Sequence, residues 1–506
     1  MELELKFDID AAEAERLLEQ LGPGTPARRQ TLTSVYFDTP DARLRRNGLV
    51  LRIRSDGRRK VQTVKSRGAN GGFQRGEWET PVTGLNPDFA AVAQTPLVEI
   101  CGREDCAALQ PVFKVCVERV SRVVVVDGAE VEAAFDRGEV RLNGAASAVC
   151  ELELELKSGE AKALFDLARH LQKTAKLDLS FITKADRGYG LLDPDLAVVS
   201  SDPAIDPKGC AAWAFQGFAA AALGQMAANA RIVGAAPTVR AVHQLRVGAR
   251  RLRSAISLFS AMLADADCER LKTELRWLGG ELNAARDLDV FIEHAFKPVA
   301  AGQADIRGLP ALGDSLTRAR DAAYDRASAA VGSLRFRSLM LEAALWAQFG
   351  PWTVTTEPRQ AARRDRPVRK TAADLLERRF DKVVKTGRKL DKLTPQVRHK
   401  LRIAVKKLRY ACEFFADLYQ GGQAKAHAAF VRQVADLQDA LGLLNDIATA
   451  VRIADQIVGA KDATARDGWR AYAAGRTIGA RQAEAPQALK AAVKRLRRLA
   501  KAEPFW

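Results

Sequence analysis

Three segments in the first 160 residues of this 506-residue chain alternate charged with apolar side chains. They lie at residues 1–7, 51–54 and 150–157. Because side chains of a β-strand point alternately to its two faces, each segment predicts a strand with one charged and one apolar face. One such strand is typical of a solvated sheet whose opposite charges pair across strands. Three with the same pattern favour a sheet that is covered on its apolar side and lines a hydrophilic cavity with its charged side.

The remainder of the first half supplies the other strands of that sheet. Short runs of period two recur up to residue 157, while residues 11–21 and 162–174 have helical periodicity. An eight-stranded barrel is just wide enough to hold one small ligand. We therefore expect an α+β domain built as a barrel or a sandwich, with flanking helices. A cavity lined by both Lys/Arg and Glu suits an anion that carries a divalent metal, such as a phosphate with Mg²⁺ or Mn²⁺.

A change of composition divides the chain. Residues 193–209 are rich in Asp and Pro, as linkers are, and the sequence beyond them has helical periodicity almost throughout. We predict a first domain at 1–200, a linker at 201–209 and an all-α domain at 210–502. The net charge of +17 is uneven, because the first 200 residues are near −3 and the remainder near +20. The helical half should attract a polyanion, although solubility alone could explain its charge.

The cysteines and histidines indicate which kinds of disulfide or metal site the chain can form. The seven cysteines form no CxxC pair, which fits neither a disulfide framework nor a zinc site. With only five histidines, any metal should be a hard cation held by carboxylates. No stretch of about 18 uncharged apolar residues is present, so we expect a cytoplasmic protein without a membrane span.

The helical half contains an internal repeat. Residues 243–253 match residues 399–409, and residues 282–287 match residues 441–446. Repeated units of this kind pack against one another. We therefore predict two pseudo-symmetric helical bundles.

Each repeat carries a basic stripe along one helix face, because positions i, i+3, i+7 and i+10 lie together. The stripes are His243, Arg246, Arg250 and Arg253, and His399, Arg402, Lys406 and Arg409. Like charges at this spacing repel, so an anion should lie against them. Internal carboxylates such as Asp287, Asp289 and Asp446 are the alternative partners. Metal binding by the two histidines is disfavoured, since no further ligand follows at a suitable spacing.

Residues 1–195 resemble the CYTH family of triphosphate tunnel metalloenzymes. The resemblance rests on six motifs in family order: 2–6 (ELELK), 36–39 (YFDT), 51–54 (LRIR), 63–65 (TVK), 77–79 (EWE) and 184–189 (KADRGY). It implies an eight-stranded antiparallel β tunnel barrel with flanking helices. The basic residues implied to hold a triphosphate in the tunnel are Lys6, Arg52, Arg54, Lys65, Arg119, Lys184 and Arg187. It implies metal ligands among Glu2, Glu4, Asp136, Glu151 and Glu153, with Glu77 and Glu79 completing the acidic side. Glu2, Glu4 and Lys6 form the implied catalytic set.

The substrate is predicted from the same resemblance. CYTH relatives include adenylyl cyclases and thiamine, RNA and inorganic triphosphatases, and this chain most resembles bacterial inorganic triphosphatases with a helical second domain. We expect metal-dependent hydrolysis of inorganic triphosphate to diphosphate and phosphate. The alternatives are a tunnel enzyme for a nucleotide or thiamine triphosphate, and a non-catalytic polyphosphate-binding scaffold.

Residues 210–500 resemble the CHAD domain, on the strength of the paired His-x-x-Arg helices. This resemblance implies polyphosphate binding in a basic groove without catalysis, and association with polyphosphate granules. Nucleic acid is the less favoured partner, because only Trp277 and Tyr410 adjoin the basic stretches as possible stacking platforms.

Overall fold

A computed structural model of the chain describes residues 2–21, 24–66, 74–90, 92, 95–100, 108–192, 205–302, 305–459 and 465–506. The chain forms two compact units. The first comprises Met1–Ala204, Ala219–Asn229 and Gly332–Pro351, and the second comprises Ile205–Phe218, Ala230–Val331 and Trp352–Trp506. The domain ranges given above stay a prediction, and residues 201–204 of the predicted linker lie outside the described residues. Within the described part, no helix has the length and apolar character to cross a membrane.

One antiparallel sheet of nine strands forms the first unit. The strands are β1 Glu2–Asp8, β2 Arg28–Asp38, β3 Leu49–Ser55, β4 Lys60–Ser66, β5 Gln74–Val82, β6 Gln110–Val126, β7 Ala129–Leu142, β8 Ala145–Ser158 and β9 Asp178–Leu179. They are ordered β5-β4-β3-β2-β6-β7-β8-β1-β9. Strand β1 also pairs with β5 over two residue pairs, so the ends of the eight longer strands meet along a seam too short to close the sheet fully. The predicted antiparallel sheet is confirmed, with β9 as an additional strand.

The apolar faces of the alternating strands are buried, as their pattern predicts. Leu5 and Phe7 of β1 and Leu152 and Leu154 of β8 are fully inaccessible. The first unit also contains helices α1 Ala11–Gln20, α2 Arg43–Arg46, α3 Ala161–Thr174 and α4 Lys184–Leu192. Helices α3 and α4 both pack against β6, β7 and β8. Helix α4 packs on the strand face that carries Arg119, Asp136 and Glu151, because its Ala185 and Tyr189 join a buried cluster with Val117, Val140 and Val149 of that face.

Helix α4 is held by an aromatic contact that leaves no room for a side chain at one position. The Phe113 ring stacks on Tyr36 at a centroid distance of 4.7 Å and meets Tyr189 edge-on at 5.2 Å. A Cβ on Gly188 would lie 2.4 Å from the Phe113 ring. The same helix carries Lys184, so this close approach sets the depth at which that amine enters the sheet.

We expect Gly188→Ala to destabilise the first unit by roughly 1–3 kcal/mol, because the new methyl overlaps Phe113 in a packed core. Gly190→Ala is the matched control in the same helix, since a Cβ there meets nothing within 4 Å. The control should be neutral or stabilising by up to about 1 kcal/mol, as alanine favours helix. Thermal and urea unfolding followed by circular dichroism would measure both changes, and equal stability of the two variants would contradict this account.

From residue 211 onward the described chain is helical. The helices are α5 Ala211–Ala235, α6 Val239–Leu258, α7 Ala266–Phe291, α8 Lys297–Gly302, α9 Leu309–Gly332, α10 Leu334–Phe349, α11 Pro358–Arg364, α12 Val368–Gly387, α13 Pro395–Phe414, α14 Ala424–Val458, α15 Ala465–Gln482 and α16 Ala485–Leu499. A π-helical turn, Ile292–Phe296, joins α7 to α8.

The internal repeat of the sequence appears as a repeat of structure. Helices α6 and α13 each have 20 residues and begin after a threonine. Thr238 Oγ1 accepts a hydrogen bond from the Ala241 amide at 3.1 Å, and Thr394 Oγ1 accepts one from the Val397 amide at 3.4 Å. Such caps satisfy the free amides of a first helical turn. Helix α6 packs on α7, α13 packs on α14, and α6 contacts α13. The predicted helical domain with paired related bundles is confirmed.

Candidate functional site

Three carboxylates meet inside the sheet of the first unit, and we call them the acid cluster: Asp136, Glu151 and Glu153. Strands β7 and β8 pair Asp136 directly with Glu151, and Glu153 lies two residues further along the same face. An oxygen of each carboxylate lies within 4.8 Å of one from each of the others. Asp136 is 1% exposed and Glu151 is fully buried. Three negative charges in so small a space require cations close by.

Two lysines provide part of that neutralisation. Lys184 Nζ lies 2.7 Å from Asp136 Oδ2 and 2.9 Å from Glu153 Oε1, and it also contacts Glu151. Lys6 Nζ donates to Glu151 Oε1 at 3.0 Å and to Glu153, and lies 3.5 Å from Glu4 Oε1. Both amines, predicted as phosphate ligands, therefore reach the acid cluster.

Two arginines complete the cationic shell. Arg119 donates from Nε and Nη2 to the two oxygens of Asp136, both at 2.7 Å, and from Nη2 to Glu153. Arg187 donates to Asp8, and its Nη2 lies 3.9 Å from Glu151 Oε2. The two-point contact with Asp136 fixes the plane of the Arg119 guanidinium.

These contacts fix the charges of the cluster. Burial would raise the pKa of Glu153, but Lys184, Lys6 and Arg119 hold it well below its usual value. Burial would lower the pKa of Lys6, but Glu153, Glu151 and Glu4 raise it well above its usual value. Burial likewise opposes the lowered pKa of Asp136, which Lys184 and Arg119 produce. Glu153 and Lys6 are therefore both charged at neutral pH, and neither has the pKa near 7 that suits a proton carrier.

The donor set fits a hard divalent cation. Glu151 Oε2 and Glu4 Oε1 are buried and accept no hydrogen bond from a described residue. Buried carboxylate oxygens in that state are costly, and oxygen ligands of this kind are what Mg²⁺ and Mn²⁺ prefer. Glu2 lies in β1 two residues before Glu4, and its side chain is outside the described part of the structure.

A second group of predicted residues lies on strands β3, β4 and β5. Lys65 Nζ is 2.9 Å from Glu77 Oε1, and Arg54 Nη2 donates to Glu79 Oε1 at 3.2 Å. Arg52 Nη2 is 3.9 Å from Glu77. Glu77 and Glu79 thus lie against these basic side chains rather than within the acid cluster. Burial would lower the pKa of Arg52, but Tyr36, Glu77 and then Glu153 raise it.

The glutamates of β8 differ in their basic neighbours. Glu155 shares a strand face with Glu151 and Glu153, but its Oε2 lies 2.7 Å from Lys157 Nζ. The structure places it with that exposed lysine and outside the acid cluster.

Sequence reasoning also missed Asp8, the partner of Arg187, although extending the alternation of β1 by one step would have included it.

The helical unit brings cations together with few anions. Along α6 and α13, five predicted residues act electrostatically on one another: His243, Arg246, Arg250, Arg402 and Lys406. We call these, with Arg286 of α7, the basic cluster. Asp287 Oδ1 lies 3.8 Å from Arg246, but its Oδ2 accepts from Arg452 at 2.9 Å, so its charge is shared. His243 Nδ1, Arg246 Nη1 and Arg402 Nε are buried without a described hydrogen-bond acceptor.

Burial and then the crowding of like charges lower the pKa values of Lys406, His243 and Arg246 in the basic cluster. Burial, then repulsion from Arg402, Arg250 and Arg246, lowers the pKa of Lys406 to about 7. Burial, then Arg286, Arg250 and Arg246, lowers the pKa of His243 to about 4. The pKa of Arg246 falls to about 10, again chiefly through burial. A bound anion would relieve this repulsion.

Three of the predicted stripe residues lie apart from that cluster. Arg409 forms an ion pair with Glu413 at 2.7 Å. His399 is exposed, and its Nδ1 lies 3.0 Å from Asn445 Oδ1. Burial and then the nearby Arg276 lower the pKa of Arg253, which places it beside a different cation. Of the three suggested carboxylates, Asp289 instead accepts hydrogen bonds from Arg320 and Tyr324, both at 2.7 Å.

Two domain families match successive parts of the chain. The CYTH domain family matches residues 1–189, and the CHAD domain family matches residues 217–455. An inorganic triphosphatase of Haemophilus influenzae is 29% identical over 192 residues, which cover 37% of this chain and 54% of that protein. An uncharacterised protein of Mycobacterium tuberculosis is 26% identical over 341 residues, 63% of this chain and 62% of the relative. The chain thus spans little more than half the length of these relatives.

A solved structure resembles the helical half. The crystal structure of the CHAD domain from the plant Ricinus communis has 27% identity and a TM-score of 0.51, and covers 60% of this chain and 97% of that one. This likeness and the two family matches agree in order and position with the sheet and the helical bundles. The chain therefore carries a CYTH domain followed by a CHAD domain.

Proposed function

We propose that the first unit is a metal-dependent hydrolase that converts inorganic triphosphate to diphosphate and phosphate. The observation that supports this most directly is a buried acid cluster enclosed by Lys6, Lys184 and Arg119. A protein that only binds anions gains nothing from three buried carboxylates, whereas hydrolysis of a phosphoanhydride uses both signs of charge. Similarity to the inorganic triphosphatase of Haemophilus influenzae supports the same class of substrate.

In this proposal the basic side chains that line the sheet hold the phosphate oxygens: Lys6, Arg52, Arg54, Lys65, Arg119, Lys184 and Arg187. Arg119 is the best oriented of them, because Asp136 fixes its guanidinium at two points. A fixed guanidinium donates to phosphate oxygens with little loss of conformational entropy. The remaining cations spread the positive charge along the length of a triphosphate.

Asp136, Glu151 and Glu153, with Glu4 and Glu2 from β1, would hold Mg²⁺ or Mn²⁺. A bound cation of this kind neutralises charge on the phosphate oxygens and polarises the phosphorus. Lys6 and Lys184 contact the same carboxylates and neutralise the negative charge that the metal would leave. The acidic set and the basic set are thereby adjacent, as a triphosphate that carries a metal requires.

The hydrolysis itself consumes one water. Water adds to a phosphorus, the bond from that phosphorus to the bridging oxygen breaks, and diphosphate leaves while a proton passes to solvent. Because Glu153 and Asp136 have lowered pKa values, they are weak proton acceptors. Positioning and charge stabilisation therefore supply most of the rate, and the carboxylates orient the reacting groups.

Phosphate release by the full-length protein tests this proposal. We expect release from inorganic triphosphate with Mg²⁺ or Mn²⁺, its loss with a chelator, and much slower release from ATP or thiamine triphosphate. Preference for either organic triphosphate would replace the proposed substrate. No release from any of them by the folded protein would favour a binding function for the whole chain.

For the helical unit we propose polyphosphate binding without catalysis. The support is the excess of cations in the basic cluster, where His243 Nδ1, Arg246 Nη1 and Arg402 Nε are buried without a described hydrogen-bond partner. Polyphosphate offers closely spaced oxygens of constant charge, which suits guanidinium and ammonium groups that face one another across two helices. The cluster lacks an acidic set like that of the first unit among the described residues, so only binding is proposed.

We expect polyphosphate affinity to fall as pH rises through 7. Lys406 binds an anion in its charged form, and its pKa of about 7 in the free protein means that half of it is neutral at that pH. Binding above pH 7 must therefore take up a proton, which weakens the complex. Lys406→Arg keeps the charge at all these pH values and should flatten the profile between pH 6 and 9. Calorimetric titration of both proteins at several pH values makes the comparison, and identical profiles would contradict a role for Lys406.

A further inference from the structure

A cavity of about 460 Å³ lies beside the acid cluster, and its lining is rich in arginine. We call it the arginine pocket, after Arg28, Arg54, Arg59, Arg119 and Arg122. Arg119 belongs to both places, since it lines this cavity and binds Asp136 and Glu153. The pocket is therefore continuous with the proposed hydrolytic site.

The pocket has more positive charge than its own carboxylates can neutralise. Five arginines line it against two acids, Asp56 and Glu132, and of the five Arg119 also pairs with Asp136 and Arg54 with Glu79 outside the lining. Asp56 accepts hydrogen bonds from the amides of Arg58 and Arg59 at 2.9 and 2.7 Å, and Glu132 lies 2.9 Å from Lys157. Both acids thus already have partners. Repulsion from Arg52, followed by burial, lowers the pKa of Arg54, as expected where cations crowd without enough counter-charge.

The other residues that line the pocket indicate which kind of anion it can bind. The described lining residues include no aromatic ring, and their apolar members are Pro26, Leu32, Val61 and Val123. A nucleobase or thiamine ring binds by stacking on aromatic side chains, which this surface does not provide. Guanidinium groups favour phosphate oxygens. The chemistry of the pocket therefore suits further phosphate units in preference to an organic group attached to a triphosphate.

We propose that the arginine pocket binds the phosphates of a linear chain beyond the three held at the acid cluster, so that the first unit prefers linear polyphosphates longer than triphosphate. This inference rests on the proposed hydrolytic function. Each turnover adds water to a terminal phosphorus, breaks its bond to the bridging oxygen, and releases phosphate and a chain one unit shorter. Arg28 and Arg59, both exposed at the pocket, determine this preference by binding.

A pair of double variants tests the proposal in the full-length protein. Arg28→Gln with Arg59→Gln removes two charges from the pocket. Arg29→Gln with Arg58→Gln removes two exposed charges from the neighbouring positions, which do not line it. Hydrolysis of inorganic triphosphate, tetraphosphate and a short polyphosphate is measured as kcat and KM, with thermal unfolding as a check that both proteins fold. The helical unit is the same in both, so any capture of the longer chains there cancels.

We expect the pocket variant to lose about tenfold in kcat/KM for tetraphosphate and polyphosphate through KM, with triphosphate changed less than about twofold. The control variant should match the unaltered protein on all three substrates. An equal loss on triphosphate, an equal loss in the control variant, or no loss on the longer chains would each overturn the inference. If the unaltered protein hydrolyses no inorganic phosphate chain at all, the proposed function itself fails, and the two failures are thereby distinguished.

Discussion

Glu153→Gln should reduce metal-dependent triphosphate hydrolysis by about 10³-fold, the loss typical when a preorganised charge is removed from a catalytic site. The substitution keeps the shape of the side chain but deletes the charge that Lys6, Lys184 and Arg119 all contact. Those three cations would lose their shared partner, and the acid cluster would lose a ligand for the metal. Phosphate release at saturating substrate and metal would measure the change.

Glu155→Gln is the matched control for that experiment. Glu155 lies on the same strand face two residues away, but it is paired with Lys157 outside the acid cluster. We expect its activity to stay within about twofold of the unaltered protein, the scale of an exposed ion pair. A large loss in both variants would mean that the charge of the whole face matters rather than the cluster. Full activity of Glu153→Gln would contradict the assigned site.

Replacing both Arg246 and Arg402 by Gln should weaken polyphosphate binding by about 100-fold, since each charge-assisted hydrogen bond contributes roughly 1.5–3 kcal/mol. Each has a buried donor atom without a described acceptor, and each acts electrostatically on Lys406. Removal of their charges also raises the pKa of Lys406 toward its usual value. Triphosphate hydrolysis should be unchanged, because these residues belong to the second unit.

Arg409→Gln offers the comparison on the same helix. Arg409 was predicted in the basic stripe, but it is paired with Glu413. Its loss should weaken polyphosphate binding less than about threefold, because an arginine already paired with a carboxylate near the surface contributes little. Isothermal titration with a polyphosphate of defined length measures both proteins. A greater loss for Arg409→Gln than for the double variant would relocate the binding surface to the end of α13.

Alternation along single strands made much of the first site predictable. A period of two assigns every residue of β1 and β8 to a face, so Lys6, Glu151 and Glu153 could each be assigned to a charged face, while their grouping at one site came from the family resemblance. The register between neighbouring strands, in contrast, could not be predicted from the pattern within each strand. The contacts of Glu77 and Glu79 with Arg52, Arg54 and Lys65 depend on how β3, β4 and β5 align, which no local pattern specifies.

Helical periodicity was a weaker guide to the second site. A spacing rule places His243, Arg246, Arg250 and Arg253 on one side of α6, but it cannot say which neighbouring helix each one faces. Arg253 is exposed and lies near Arg276 of α7. Arg409 pairs with Glu413, four residues further along the same helix. Arg286 joined the basic cluster from α7, where its sequence position next to Asp287 was the only indication.

The make-up of the first unit affects how the chain loses its structure on heating. That unit includes residues 332–351, and within it the Phe165 ring of α3 meets Phe349 at 6.0 Å while Arg169 forms an ion pair with Glu342. A fragment that ends at residue 204 would lack both partners and expose apolar surface on α3. Melting of the sheet must also release α10, a helix that lies between long stretches of the second unit. Calorimetry should therefore record overlapping, mutually dependent transitions instead of two well-separated peaks.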